Sequence, residues 1–204
     1  MKYSISKSID NAIGGISKLD PEVLKLKGMS SSRNRHLLNN ILEAPNINYL
    51  EIGVWHGSTF ISALYKNKVR AYAIDNWSEY NDNESKYNFY KNCERFGISG
   101  YTFFETDSFK VDLNWILNKI NVYFYDGDHN YLKTIKALTY FLPVLDNEFL
   151  FIVDDYDWKD VNKGVMDGIK ECKLRVIQKW ELHSKCANDK DTWWNGLGIF
   201  ILRK

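Results

Sequence analysis

Two apolar runs in this chain end in bursts of aspartate. "YFYDGDHNY" begins at Tyr123 and sets Asp126, Asp128 and His129 behind a β-like run. "FLFIVDDYDW" ends at Trp158 and sets Asp154 and Asp155 behind another. Adjacent aspartates are poor strand formers and need a reason to close a strand. Carboxylates that meet in space push protons back onto one another unless positive charge lies between them. A hard divalent cation such as Mg²⁺ removes the conflict, taking a few carboxylates and completing its octahedron with water or substrate oxygens. On this reading Asp126, Asp154 and Asp155 hold the metal. A hydroxyl on that metal is easier to deprotonate, and Asp128, or its neighbour His129, is placed to accept the proton. The bland alternatives are that Asp128 caps a helix starting near Asn130 and that Asp154 and Asp155 are turn residues. Asp157, with Asp160 three residues on, reads as a helix cap and is assigned no chemistry.

A second constellation lies upstream. "YLEIGVWHGSTF" is E-x-G-x-x-x-G, with Glu51, Gly53 and Gly57 between a strand and a helix. The glycines let the backbone turn sharply and let a ligand lie against it. Glu51 stands where a dinucleotide-binding loop has its first glycine; it would repel a pyrophosphate and suit a positively charged amino group. A plain strand–turn–helix joint is the alternative. Asp75, in "AYAIDNW", falls about twenty residues beyond the glycine turn, the place from which a carboxylate takes ribose hydroxyls; a helix cap is the other reading. Trp77 packs either against a base or into the core. In "FFETDSF", Asp107 is placed to accept from an exocyclic amine, and Ser108 either joins it or caps a helix. Trp193 and Trp194 either stack on a substrate ring or close the core, the second being favoured. His56 is expected to line the glycine turn without reacting, and His36 and His183 to be structural.

The elements that must position these residues alternate. A helical preface comes first. "LDPEVLKLKG" has Asp20 as N-cap, Pro21 at the first helical position and Gly28 as stop. "SSSRNRHLLNNILEA" carries a stripe of Leu37, Leu38, Ile41 and Leu42 and ends at Pro45. Strands at "INYLEIG", "VRAYAID", "YTFFETD", "INVYFYDGD" and "EFLFIVDDY" then alternate with helices, including one over "SEYNDNESKYNFYKNCERFG" and a short one around Val111 to Leu117. "LRVIQKWELH" and "NGLGIFILRK" close as two β runs with no helix between them. This order predicts an α/β, Rossmann-like, mainly parallel seven-stranded sheet with helices on both faces and a C-terminal antiparallel hairpin. Residues 1–45 form the preface, packed on a domain at 46–204, a single domain overall. Ligands in such sheets sit at the carboxyl ends of the strands, and every acidic burst falls there.

The bulk numbers set limits. The 204 residues suit one domain, and 45% hydrophobic with 26% charged residues is the balance of a globular protein. A net charge of +1 leaves no basic footprint for nucleic acid. Three cysteines, Cys93, Cys172 and Cys186, match no zinc spacing and read as reduced thiols. The N-terminal stretch lacks the apolar core of a signal peptide, and no run is long enough to span a membrane. A cytoplasmic protein, with 13 Tyr and 7 Trp that suit a homodimer, is the expectation.

Together, E-x-G-x-x-x-G, acidic ends to the second and third strands and a closing hairpin resemble a class I S-adenosylmethionine-dependent methyltransferase over about residues 45–204. "DGDHNY" with "VDDY" resembles, more narrowly, the metal-dependent O-methyltransferases of the macrocin type, which act on sugar hydroxyls of natural products. That resemblance implies S-adenosylmethionine as cofactor. Glu51, Gly53 and Gly57 would line its methionine part, Asp75 its ribose, and Asp107 with Ser108 its adenine. It also implies Mg²⁺ on Asp126, Asp154 and Asp155, Asp128 as base, and a small-molecule acceptor such as a sugar. The competing readings are an NAD-dependent oxidoreductase, which Glu51 and the lack of a Lys, Tyr or His arrangement oppose, and a non-catalytic nucleotide-binding module, which the intact carboxylate set opposes. A hydrolase lacks its G-x-S-x-G elbow, while metal-assisted hydrolysis on the aspartates stays open as a third alternative.

Overall fold

The computed structural model describes residues 4–79 and 83–204. Three helices precede the sheet: α1 (Ile5–Ile13), α2 (Pro21–Leu24) and α3 (Ser32–Ile41). Then come β1 (Ile47–Ile52), α4 (Ser58–Leu64), β2 (Val69–Asp75), α5 (Asn83–Arg95), β3 (Thr102–Glu105), β4 (Ile120–Tyr125), α6 (Tyr131–Phe141), β5 (Leu145–Val153), α7 (Lys159–Glu171), β6 (Arg175–Leu182) and β7 (Leu197–Arg203). The seven strands lie in the order β3-β2-β1-β4-β5-β7-β6. β1 to β5 run parallel, and β7 pairs antiparallel with both β5 and β6. The sheet is therefore Rossmann-like and mainly parallel, with an antiparallel end. The last two runs do pair, yet β7 slides between β5 and β6 rather than adding outside them. β7 is buried along Leu197–Leu202, whereas β6 is exposed over most of its length. The apolar strand takes the inner position and the Arg/Lys/Gln-bearing one takes the edge, where a bulge between Val176 and Gln178 interrupts it.

Two cores flank the sheet, and the pleat divides residues between them. Tyr49 faces α3 and α4 together with Leu37, Leu38, Phe60 and Phe89. Leu50 and Ile52 face the other side with Leu138 and Phe141 of α6 and Val161, Val165 and Ile169 of α7. Ile5 and Ile9 of α1 complete the first core. Burying one such Phe or Leu contributes about 1.5–3 kcal/mol. Where α7 crosses α6, Gly164 leaves no room: a Cβ there would stand 2.7 Å from Thr134 Cβ and 2.9 Å from the Tyr131 carbonyl oxygen.

Several local expectations are corrected. The short helix expected around Val111–Leu117 is reduced to one 3₁₀ turn, Leu113–Trp115, and a separate 3₁₀ turn, Ser108–Lys110, precedes it. Asp107 and Asp112 each accept the N–H two residues on, and such local bonds compete with a continuous helix. Asp20 does not cap α2 with its side chain; its carboxylate goes to Tyr65 and Lys66. The helix expected from Ser78 starts at Asn83, and residues 80–82 of that run lie outside the described residues. Among the described residues no helix is long and apolar enough to cross a membrane.

The α6–α7 contact yields one expectation. Gly164→Leu must overpack it and lower stability by about 1–3 kcal/mol. Urea denaturation followed by circular dichroism measures this; an unchanged midpoint would contradict the close helix contact.

Candidate active site

The glycine-turn constellation gathers where β1 meets β4 and β2. Gly53 has φ +84° and donates its N–H to the Ile74 carbonyl at 3.0 Å. A Cβ on Gly53 would lie 1.8 Å from the Asp126 carbonyl oxygen, so the glycine turn and the end of β4 touch backbone to backbone. Gly57 has φ +85° and starts α4, a left-handed position that favours glycine. Asp75 spans the turn's outer side. Its two oxygens accept the Trp55 and Trp77 N–H groups, each at 2.8 Å. Glu51 lies beneath the turn and is fully buried. Tyr49 donates to one of its oxygens at 2.5 Å and Thr59 to the other at 2.6 Å. Burial raises its pKa to about 8, against the lowering effect of the Thr59 and Tyr49 hydroxyls. The structure thus gives Glu51 two protein hydroxyls as partners at the base of the turn.

Trp77 is built into the first core, 7% exposed and stacked on Phe103 at 5.0 Å. Asp107 accepts the Phe109 N–H at 2.8 Å, so Asp107 is the cap and Ser108 opens the 3₁₀ turn behind it. His56, expected to line the turn, is instead buried and bonds Ser85 of α5 at 3.1 Å. Trp193 and Trp194 are both buried.

The aspartates meet. Asp126 N–H donates to the Ile52 carbonyl and Asp154 N–H to the Tyr125 carbonyl, which continues the sheet's pairing one residue past the strands. This register sets Asp126, Asp154 and Asp155 side by side. His129 enters between them, with Nε2 3.7 Å from Asp126 Oδ1 and Nδ1 3.4 Å from Asp155 Oδ2. Burial first, then the charges of its neighbours, raises the carboxyl of Asp126 and that of Asp154 well above the usual range. Asp155 is raised by burial too, less so because His129 and Asn195 stabilise its charge. Asp154 Oδ1 and His129 Nε2 are buried with no hydrogen-bond partner. Hard oxygen donors with an orphaned, desolvated carboxylate oxygen suit a divalent cation in their chemistry. As the side chains stand, however, no three His, Cys, Asp or Glu residues among the described ones are grouped so as to hold a metal ion. Asp128 is exposed; its carboxylate accepts the Asn130 N–H at 2.9 Å, and Asn130, not Asp128, caps α6. Trp158 is 47% exposed and meets His129 edge-on at 5.3 Å.

Other residues at this site escaped the sequence reading. Asn195 donates from Nδ2 to Asp155 Oδ1 at 2.8 Å and accepts the Asn188 N–H at 2.7 Å. Only its place after "WW" in a polar loop hinted at it. Asp157 is not a cap: Trp158 holds the N-cap position of α7, and the Asp157 carboxylate takes His183 Nδ1 at 2.5 Å and both donors of Ser184 at 2.8 Å. The missing side chain of Gly196 makes room for it, since a Cβ there would lie 2.5 Å from the carboxylate carbon.

Comparison with known proteins bears on the fold that carries this site. A family model described as "Methyltransferase domain" matches residues 50–156, just over half of the chain. No curated protein matches. Solved structures do. An O-methyltransferase from Bacillus cereus in complex with SAH superposes with a TM-score of 0.63 at 12% identity, covering 100% of this chain and 92% of the other. An SAH-bound methyltransferase from Podospora anserina gives 0.63 at 10% identity, covering 100% and 89%. TrmN from Thermus thermophilus gives 0.62 at 13% identity; 90% of this chain is covered, and the chain spans 52% of that protein's length. At these identities the likeness is one of fold.

Glu51 makes the site's electrostatics measurable. Its folded pKa of about 8 lies above the ordinary 4.5, so the folded state binds the proton more tightly than the unfolded state. Stability from this group is full below pH 4.5 and is lost as pH rises through about 8. Glu51→Gln removes that loss. The stability difference between the variant and the parent chain should shift in the variant's favour from pH 5 to pH 9, by on the order of 1 kcal/mol or more. Urea midpoints across that range test it; a pH-independent difference would contradict it.

Proposed function

The chain belongs to the methyltransferase-domain family, and from that premise we propose that it transfers methyl groups from S-adenosylmethionine to a hydroxyl of a small molecule, a sugar being the favoured class. The class I S-adenosylmethionine-dependent fold is the shared ground. The observation that carries the finer reading is the meeting of Asp126, Asp154 and Asp155 beside His129, one backbone contact away from the glycine turn. The likeness to the macrocin type supports it, as does a net charge of +1, which gives little purchase on a polyanionic acceptor.

S-adenosylmethionine, when bound, supplies a methyl already activated by its sulfonium, and Gly53, Gly57, Asp75, Asp107 and Ser108 would hold it. A divalent cation such as Mg²⁺, when bound by Asp126, Asp154 and Asp155, supplies charge that acidifies a hydroxyl. The chain's own residues do the rest. Asp75 keeps acceptor capacity for ribose hydroxyls beyond its two backbone partners. Glu51 is locked by Tyr49 and Thr59 and stiffens the floor of the turn. Asp128, exposed and two residues beyond Asp126, takes the hydroxyl proton on this reading, with His129 as the alternative base. Trp158, half exposed beside His129, offers an apolar face for the acceptor and helps to exclude water.

Calorimetry with S-adenosylhomocysteine, with and without Mg²⁺ and with NAD as control, tests the cofactor. Micromolar binding of the first and none of NAD is expected; the reverse would overturn the reading. Methyl transfer to a panel of sugar and catechol hydroxyls then tests the acceptor. Asp126→Asn should abolish transfer while leaving S-adenosylhomocysteine binding within about twofold. Asp128→Asn should lower kcat by about 10²–10⁴. Full activity in Asp126→Asn would remove the role of the carboxylate cluster.

A further inference from the structure

We propose that Lys27 binds the α-carboxylate of the cofactor's methionine moiety, delivered over the glycine turn by a loop that Arg35 clamps. The inference rests on the methyltransferase reading.

The loop between α2 and α3 is built with care. Arg35 is buried, and its guanidinium donates to the carbonyls of Leu24 and Leu26 at 3.0 and 2.9 Å and to Ser30 Oγ at 3.0 Å. None of these acceptors is a carboxylate, so this buried charge serves to hold the loop's shape. Gly28 then lies on the first residue of α4: a Cβ would stand 1.9 Å from Ser58 Oγ and 2.9 Å from Arg35 Nη2. Any larger residue would lift the loop off the glycine turn.

Lys27 is what this construction puts there. It is exposed, and its Nζ sits 5.2 Å from the centre of the Trp55 ring. Trp55 lies inside the turn, and its N–H donates to Asp75. Lys27, the turn and the ribose-side aspartate are therefore joined through one residue. Among the described residues, Asp75 is the acidic group on the open side of the turn, since Glu51 is sealed beneath it by Tyr49 and Thr59. Asp75 suits the ammonium of an amino acid and repels its carboxylate. The carboxylate needs a cation. Arg35 is walled in by its three acceptors, and Lys86, over Trp77, is already paired with Glu105 at 2.6 Å. Lys27 rests on an aromatic face that steadies the charge and leaves its N–H donors open. A charge-assisted bond from it would hold the amino-acid tail and so fix where the methyl points.

A pair of ligands isolates this contact: S-adenosylhomocysteine carries the amino-acid tail, and 5′-methylthioadenosine lacks it. Calorimetry on Lys27→Ala should show S-adenosylhomocysteine binding weakened by about tenfold and 5′-methylthioadenosine binding unchanged. Lys27→Arg should keep most of the affinity. Equal weakening of both ligands would assign Lys27 a merely structural role, and unchanged affinity for both would leave it no role; either overturns the inference. Failure of the parent chain to bind S-adenosylhomocysteine at all would overturn the methyltransferase reading and this inference with it, and the parent titration identifies that case before any variant is made.

Discussion

The contact between the Gly53 backbone and the Asp126 carbonyl is the constraint on which the site depends. It joins the turn after β1 to the turn after β4 with no side chain between them. Two constellations distant in sequence thereby meet. In the proposed reaction a methyl donor lying along the first turn would stand against groups presented by the second. The distance is set by the spacing of neighbouring parallel strands, which the main-chain hydrogen bonds fix. Catalysis by alignment requires such rigidity at the reacting centre.

The electrostatics of the site follow from the same packing. Strands buried on both faces bring their carboxyl-end residues into a desolvated space, and Glu51, Asp126, Asp154 and Asp155 all carry raised pKa values with burial as the first cause. A chain that places four acids there without compensation loses stability near neutral pH. Tyr49, Thr59 and Asn195 offset part of that cost by donating to individual oxygens. Asp154 Oδ1 receives no such help.

Much of the fold was legible because long-range order here repeats a short-range signal. Apolar runs of strand length alternate with helical stripes, and continuously apolar strands such as "LFIV" announce a sheet covered on both faces. The meeting of Asp126 with Asp154 and Asp155 could be read the same way, since both follow neighbouring parallel strands. What escaped depends on contacts that no spacing encodes. Asp157 looks like a helix cap by its position, yet Gly196, nearly forty residues on, opens the space that lets it reach His183 and Ser184. Asn195 reaches Asp155 from the β6–β7 loop. His56 turns inward because α5 offers it Ser85. The 3₁₀ turns after β3 went unforeseen because Asx bonding by Asp107 and Asp112 outweighs a helical apolar pattern over so few residues.

The insertion of β7 between β5 and β6 also orders the events of folding. β5 can pair with β4 as soon as both exist, but its other edge waits for a strand some fifty residues further along the chain. β6, made earlier than β7, has no partner until β7 arrives, because the two strands flanking β7 never touch each other. Long-range pairing of this kind forms late and slowly. Asn195 travels with β7, so the group that steadies Asp155 reaches it only when the sheet closes. The parallel half of the molecule, with its glycine turn, can thus assemble before the carboxylate pocket is complete.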